Sequence, residues 1–224
     1  MKRWMWLTVA GLVVVAAAVT LVALPKAPDW TSDSPEAVAA FQAGYDAAMK
    51  VYYDDARRHY KRALELDPDF VMANLFARGS FHDDEEQLKA MWSKVENADL
   101  SKLNYRERFF VERNIAYRQE RPEDAQDLLD KAVAKYPNDP YILHEKAQTT
   151  WMSGSLEDAE RLYQSLVEIA PNWVIAYNQL GYINMMKGRF AEAEEYFKSY
   201  RFIAPDQANP HDSLGELFIT QGRY

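Results

Sequence analysis

The sequence predicts an all-α protein, a solenoid of stacked helical hairpins behind one N-terminal transmembrane helix. Three observations carry that expectation. Pro137, Pro171 and Pro205 stand 34 residues apart, closing the phrases EDAQDLLDKAVAKYP, EDAERLYQSLVEIAP and AEAEEYFKSYRFIAP. Ala, Leu, Glu, Lys, Gln and Arg dominate and glycine is scarce, at 8 of 224 residues, which favours helix over strand and turn. The chain also opens on MKRWMWLTVAGLVVVAAAVTLVAL, two basic residues followed by a run without charge.

The run from Trp4 to Leu24 is 21 residues long. At about 1.5 Å per residue it crosses a hydrocarbon core of roughly 30 Å. Trp4 and Trp6 suit the near interface and Trp30 the far one, and Lys2 and Arg3 keep the N-terminus cytoplasmic. The body is then expected on the periplasmic or extracytoplasmic side. A cleaved signal peptide is the competing reading, but the apolar core is long and Leu24, Pro25 and Lys26 make a poor cleavage site. Residues 25–36, PKAPDWTSDSPE, read as a linker in which Ser34 caps a helix that starts with Pro35.

The body divides by the period. Units are expected at 37–70, 106–139, 140–173 and 174–207, with a degenerate unit at 71–105 and the first helix of a partial unit at 208–224. The unit at 174–207 carries Tyr177, Leu180, Gly181, Ala193, Phe197 and Pro205. The unit at 37–70 carries Gly44, Ala56, Tyr60, Ala63 and Pro68. Leu143, Ala147, Ala159, Tyr163 and Pro171 stand in register in the unit at 140–173. Phe109, Ala116, Ala125, Leu129, Ala132 and Pro137 do so in the unit at 106–139, where Arg113 replaces the glycine. This pattern resembles the tetratricopeptide repeat, a helix–turn–helix of 34 residues. The resemblance implies a right-handed α-solenoid in which small residues let paired helices approach and proline stops the second helix.

Residues 71–105 are expected to be the least regular part. They lack a closing proline, FHDDEEQ opens the second helix, and Asp99 or Ser101 caps the helix of the next unit. The final unit stops at Tyr224 before its second helix. The chain is therefore read either as part of a longer protein or as ending on a capping helix, with self-association through that helix a further option.

Composition excludes several functions. Without cysteine there is no disulfide, thiolate metal site, cysteine nucleophile or lipoprotein anchor. A net charge of −8 disfavours nucleic acid. His59, His82, His144 and His211 form no pair at helical spacing, and no nucleotide-loop or hydrolase motif is present. The acids around His82 read as a solvated first turn rather than a metal cluster. No catalytic, cofactor or metal residue is expected.

The resemblance places the first helix of each unit along a concave groove. It implies that Phe41, Tyr45, Phe110, Asn114, Tyr117, Tyr141, His144, Gln148, Trp151, Asn178, Tyr182, Met185 and Met186 face it. Amides there can bond the backbone of an extended peptide, and aromatics supply contact area. Lysine is missing from the places at which some relatives clamp a C-terminal carboxylate, so a chaperone-tail clamp is not expected. The function implied is a non-catalytic, membrane-tethered scaffold that holds a peptide or helix of a protein partner, as in envelope assembly or secretion. The alternative is the regulatory repeat region of a longer transferase or kinase.

Overall fold

The computed structural model describes residues 30–80 and 84–223. The expected membrane helix at 4–24, residues 25–29 of the linker, and His82 with Asp83 lie outside the described residues. Among the described residues there are eleven α-helices and no strand, and no helix is long and apolar enough to cross a membrane.

The helices form antiparallel pairs. In chain order they are α1 Pro35–Met49 with α2 Tyr53–Leu66, α3 Val71–Phe76 with α4 Glu85–Glu96, and α5 Tyr105–Arg118 with α6 Pro122–Lys135. Then come α7 Pro140–Met152 with α8 Leu156–Ile169, α9 Val174–Met186 with α10 Phe190–Ile203, and α11 Asn209–Thr220. Each pair also packs on the next, α6 on α7, α8 on α9 and α10 on α11. Four second helices end in caps at Asp67, Tyr136, Ala170 and Ala204, each one residue before a proline. A proline lacks the donor needed for another turn, and the residue before it avoids helical geometry.

Gly44 and Gly181 show why the small residue recurs. A Cβ at Gly44 would lie 2.7 Å from Tyr60 Cδ1, and one at Gly181 would enter the Phe197 ring. In both units the ring of the second helix rests on the bare backbone of the first. The turn between paired helices needs a left-handed residue, and Gly154 and Gly188 supply it at φ 86° and 71°. In the first unit Val51 holds that conformation at φ 68°.

The unit at 71–105 departs most from the pattern. Its first helix has only six residues and runs into a 3-10 turn, Ala77–Ser80. The joint before α5 corrects the expected cap. Asp99 caps only the short 3-10 turn Leu100–Lys102. Asn104 caps α5, in a capping box with Glu107. Asn104 accepts from the Glu107 amide at 3.1 Å, and Glu107 accepts from the Asn104 amide at 3.0 Å.

The start of the body also needs correction. Trp30, expected at the far membrane interface, is 1% exposed. It packs edge-on against Phe41 and Tyr141, with centroids 5.0 and 5.1 Å away, and its Nε1 donates to Gln42 Oε1 at 2.6 Å. Thr31 donates from its backbone N and its hydroxyl to Glu107 at 2.5 and 2.7 Å, and Ser32 Oγ donates to Asp67 at 2.5 Å. Residues 30–32 are thus a strap tied to α1, to α5 and to the end of α2. Ser34 then caps α1, accepting from the Ala37 amide at 3.1 Å.

Candidate functional site

The strap and the curvature of the stack decide which expected groove residues stay accessible. Phe41, Tyr45, Phe110 and Tyr141 are buried in the main core with Trp30. Trp173 closes this cluster from the other end: its ring lies 5.1 Å from Tyr141 and 6.1 Å from Tyr45. A second seam joins Val51 and Tyr52 of the first unit to Val174, Tyr200 and Ala204 of the fifth. The first unit therefore touches the fourth and fifth directly, and the inner face between them is filled with aromatic rings.

Five further expected residues are also occupied. His144 is buried, 5.8 Å from the Trp173 ring, and its Nδ1 has no partner among the described residues. Burial pushes its pKa down, against the opposing pull of Glu145. Asn178 is buried and accepts from Ser213 Oγ at 3.1 Å, which links α9 to α11. Tyr182 donates to Glu216 Oε2 at 2.9 Å. Trp151 packs on the cluster around Tyr163, and Met185 on the one around Phe197. Met186 is 62% exposed.

The remaining residues, Asn114, Tyr117 and Gln148, come together with Phe110 in a pocket of 560 Å³. Leu75, Phe76, Arg78 and Gly79 form one wall, α5 contributes Phe110, Arg113, Asn114 and Tyr117, and α7 contributes Glu145, Gln148, Thr149 and Met152. Its floor is apolar, while exposed Tyr117 and Met152 stand at the rim. Arg78 and Arg113 are additions that the groove positions do not name. Arg113 was legible only as an unexpected residue at a glycine's place. It is buried, pairs with Glu145, and donates to Thr149 Oγ1 at 2.9 Å and Tyr117 OH at 3.1 Å. Arg78 donates from Nε to Leu75 O at 2.6 Å and from Nη2 to Asn114 Oδ1 at 3.2 Å.

A second ion pair holds the α5–α7 wall in place. Arg106 donates to Asp139 Oδ2 from Nε at 3.1 Å and Nη2 at 2.8 Å, and Tyr105 OH donates to the same oxygen. Asp139 also caps α7 through the amides of Tyr141 and Ile142. Burial opposes its ionisation, but these hydrogen bonds prevail and hold its pKa below the usual carboxylate range.

A larger depression of 800 Å³ lies between Tyr177, Lys198, Phe202 and His211. It gathers none of the expected groove residues. Among the described residues no three His, Asp or Glu side chains group as a metal site.

Residues 116–181 match the family model of the tetratricopeptide repeat. Among curated proteins none matches in sequence. The fold is similar to that of a chain in the APC/C hetero-tetramer Cut9–Hcn1, with a TM-score of 0.53 and 16% identity over 85% of this chain and 38% of the other. It is similar to human IFIT1, solved as a dimer with m7Gppp-AAAA, with a TM-score of 0.53 and 15% identity over 84% of this chain and 48% of that one. The type IV pilus biogenesis factor PilW is a looser match, with a TM-score of 0.48 and 19% identity over 85% of this chain and 88% of its own. The chain thus spans less than half the length of the first two, and the likeness is one of fold.

Proposed function

We propose that this tetratricopeptide-repeat solenoid is a non-catalytic scaffold that holds an extended segment of a partner protein between α3, α5 and α7. We further propose that residues 4–24 tether it to a membrane, with the repeat body on the extracytoplasmic side. The observation that carries the binding reading is the 560 Å³ pocket. It sits on the first helices of successive units, where the rest of the inner face is filled by the chain's own rings. It combines an apolar floor with the Gln148 amide and the Thr149 hydroxyl, which accept from Tyr163 and Arg113 and keep hydrogens to donate to a peptide backbone. Repeat stacks suit this task because rigid neighbouring units present a preformed surface and little entropy is lost on binding.

Site-specific photo-crosslinking tests the reading. A photoreactive residue at Met152, 76% exposed at the rim, should form adducts with a distinct protein in the membrane fraction of cells. The same residue at Tyr53, 64% exposed on α2, should not form that adduct. Adducts from position 53 alone would place binding outside the pocket and sink the proposal.

A further inference from the structure

Arg78 presents an unresolved charge. The other arginines around this wall each have a carboxylate: Arg106 has Asp139, Arg113 has Glu145, and Arg118 has Glu96. Among the described residues Arg78 has none. Its guanidinium lies 3.8 Å over the Trp92 ring, and Arg118 lies over the same ring at 4.6 Å. Burial, and then the charge of Arg118, push the Arg78 pKa down to about 10, so it stays charged near neutrality. Its Nη1 hydrogens have no acceptor among the described residues. A half-buried cation beside another cation is costly unless an anion joins it.

The geometry points to an aspartate or glutamate side chain of the partner segment as that anion, an assignment that rests on the groove reading of the pocket. A guanidinium fork matches a carboxylate with two parallel hydrogen bonds. Arg78 and Arg113 against Glu145 leave one positive charge in excess, on a chain whose net charge is −8. One carboxylate cancels that excess. A phosphate group, at about −1.5 to −2, overshoots it and faces Glu145. The backbone partners Gln148 and Thr149 stand on α7, separated from Arg78 by α5. A flexible acidic side chain bridges that gap while the segment continues along α7, whereas a chain-terminal carboxylate is fixed to the backbone.

The test uses the full chain in detergent and nine-residue peptide libraries, acetylated and amidated, with the central residue set to Asp, Glu, Asn or Gln. The acidic sublibraries should bind about tenfold more tightly than the amide ones, the effect of one charge-assisted pair. Arg78→Gln should abolish the preference, and Arg223→Gln, remote from the pocket, should keep it. Asn114→Asp places a carboxylate where Oδ1 now accepts from Arg78 at 3.2 Å, at the loss of the bond from Nδ2 to Phe110 O at 2.8 Å, so it should abolish the preference in a chain whose helical circular dichroism is unchanged. Equal binding of acid and amide sublibraries overturns the assignment and leaves the groove intact. A preference that survives both pocket variants also overturns it. If no sublibrary binds, the groove reading falls and takes the assignment with it.

Discussion

Burial favours the neutral form of His144, and among the described residues its Nδ1 has no partner. Its pKa in the fold is lowered, so below about 6.5, the unfolded value, the unfolded chain binds the extra proton more readily. Stability should therefore be fully present above that pH and decline as the solution is acidified. The slope approaches but does not exceed about 1.4 kcal/mol per pH unit. His144→Gln should flatten this part of the curve between about pH 6.5 and 5, read as the difference in urea midpoints so that carboxylate titrations cancel. Parallel curves for the two proteins would show that His144 already titrates normally. Val51, like Glu120, is held in left-handed backbone against its own preference. Left-handed backbone costs a β-branched residue about 1–3 kcal/mol, and packing against Tyr200 and Val174 offsets it.

At the level of the helix, the hairpin depends on how closely two backbones approach. Gly181→Ala drives a methyl group into the Phe197 ring, which is fully buried and must shift within the core to make room. The expected loss is about 1–3 kcal/mol. Gly215 holds the same place in the last unit, but a Cβ there meets nothing within 4 Å. Gly215→Ala should instead gain up to about 1 kcal/mol, because alanine is the better helix former. Thermal melts of the two single variants decide the point. Shifts of the same sign would mean that ring-on-glycine packing does not set the register. Arg113 shows the converse: with Leu129 rather than a ring at the matching place of α6, a long side chain fits, with Glu145 balancing its charge and Thr149 accepting a hydrogen bond from it.

For the whole molecule, the strap and the seam turn an open row of hairpins into a body whose first unit touches its fifth. Trp30 is central to that closure. Trp30→Ala removes its ring packing on Phe41, Tyr45, Phe110 and Tyr141 and the bond to Gln42, at an expected cost of about 3–5 kcal/mol. The urea midpoint should fall, and amide exchange in α1 should quicken. An unchanged midpoint would return Trp30 to the role of a membrane-interface residue.

The sequence by itself determined the repeat, the paired helices, their proline stops, and the Ser34 cap. These obey short-range rules: a proline ends its own helix, and a glycine admits a ring from the second helix of the same hairpin. The irregular character of residues 71–105 was legible for the same reason, as a break in register. Only the tertiary structure decided which groove residues remain open. Phe41, Tyr45 and Tyr141 occupy groove positions in their own units, yet Trp30 and Trp173 cover them from distant parts of the chain. Arg78 gave no signal either, because its meaning lies in the carboxylate that its neighbours have and that, among the described residues, it lacks. Pattern along the chain records how each unit is built. Coverage and charge balance depend on which units curl back to meet, and that is set by packing summed over the whole stack.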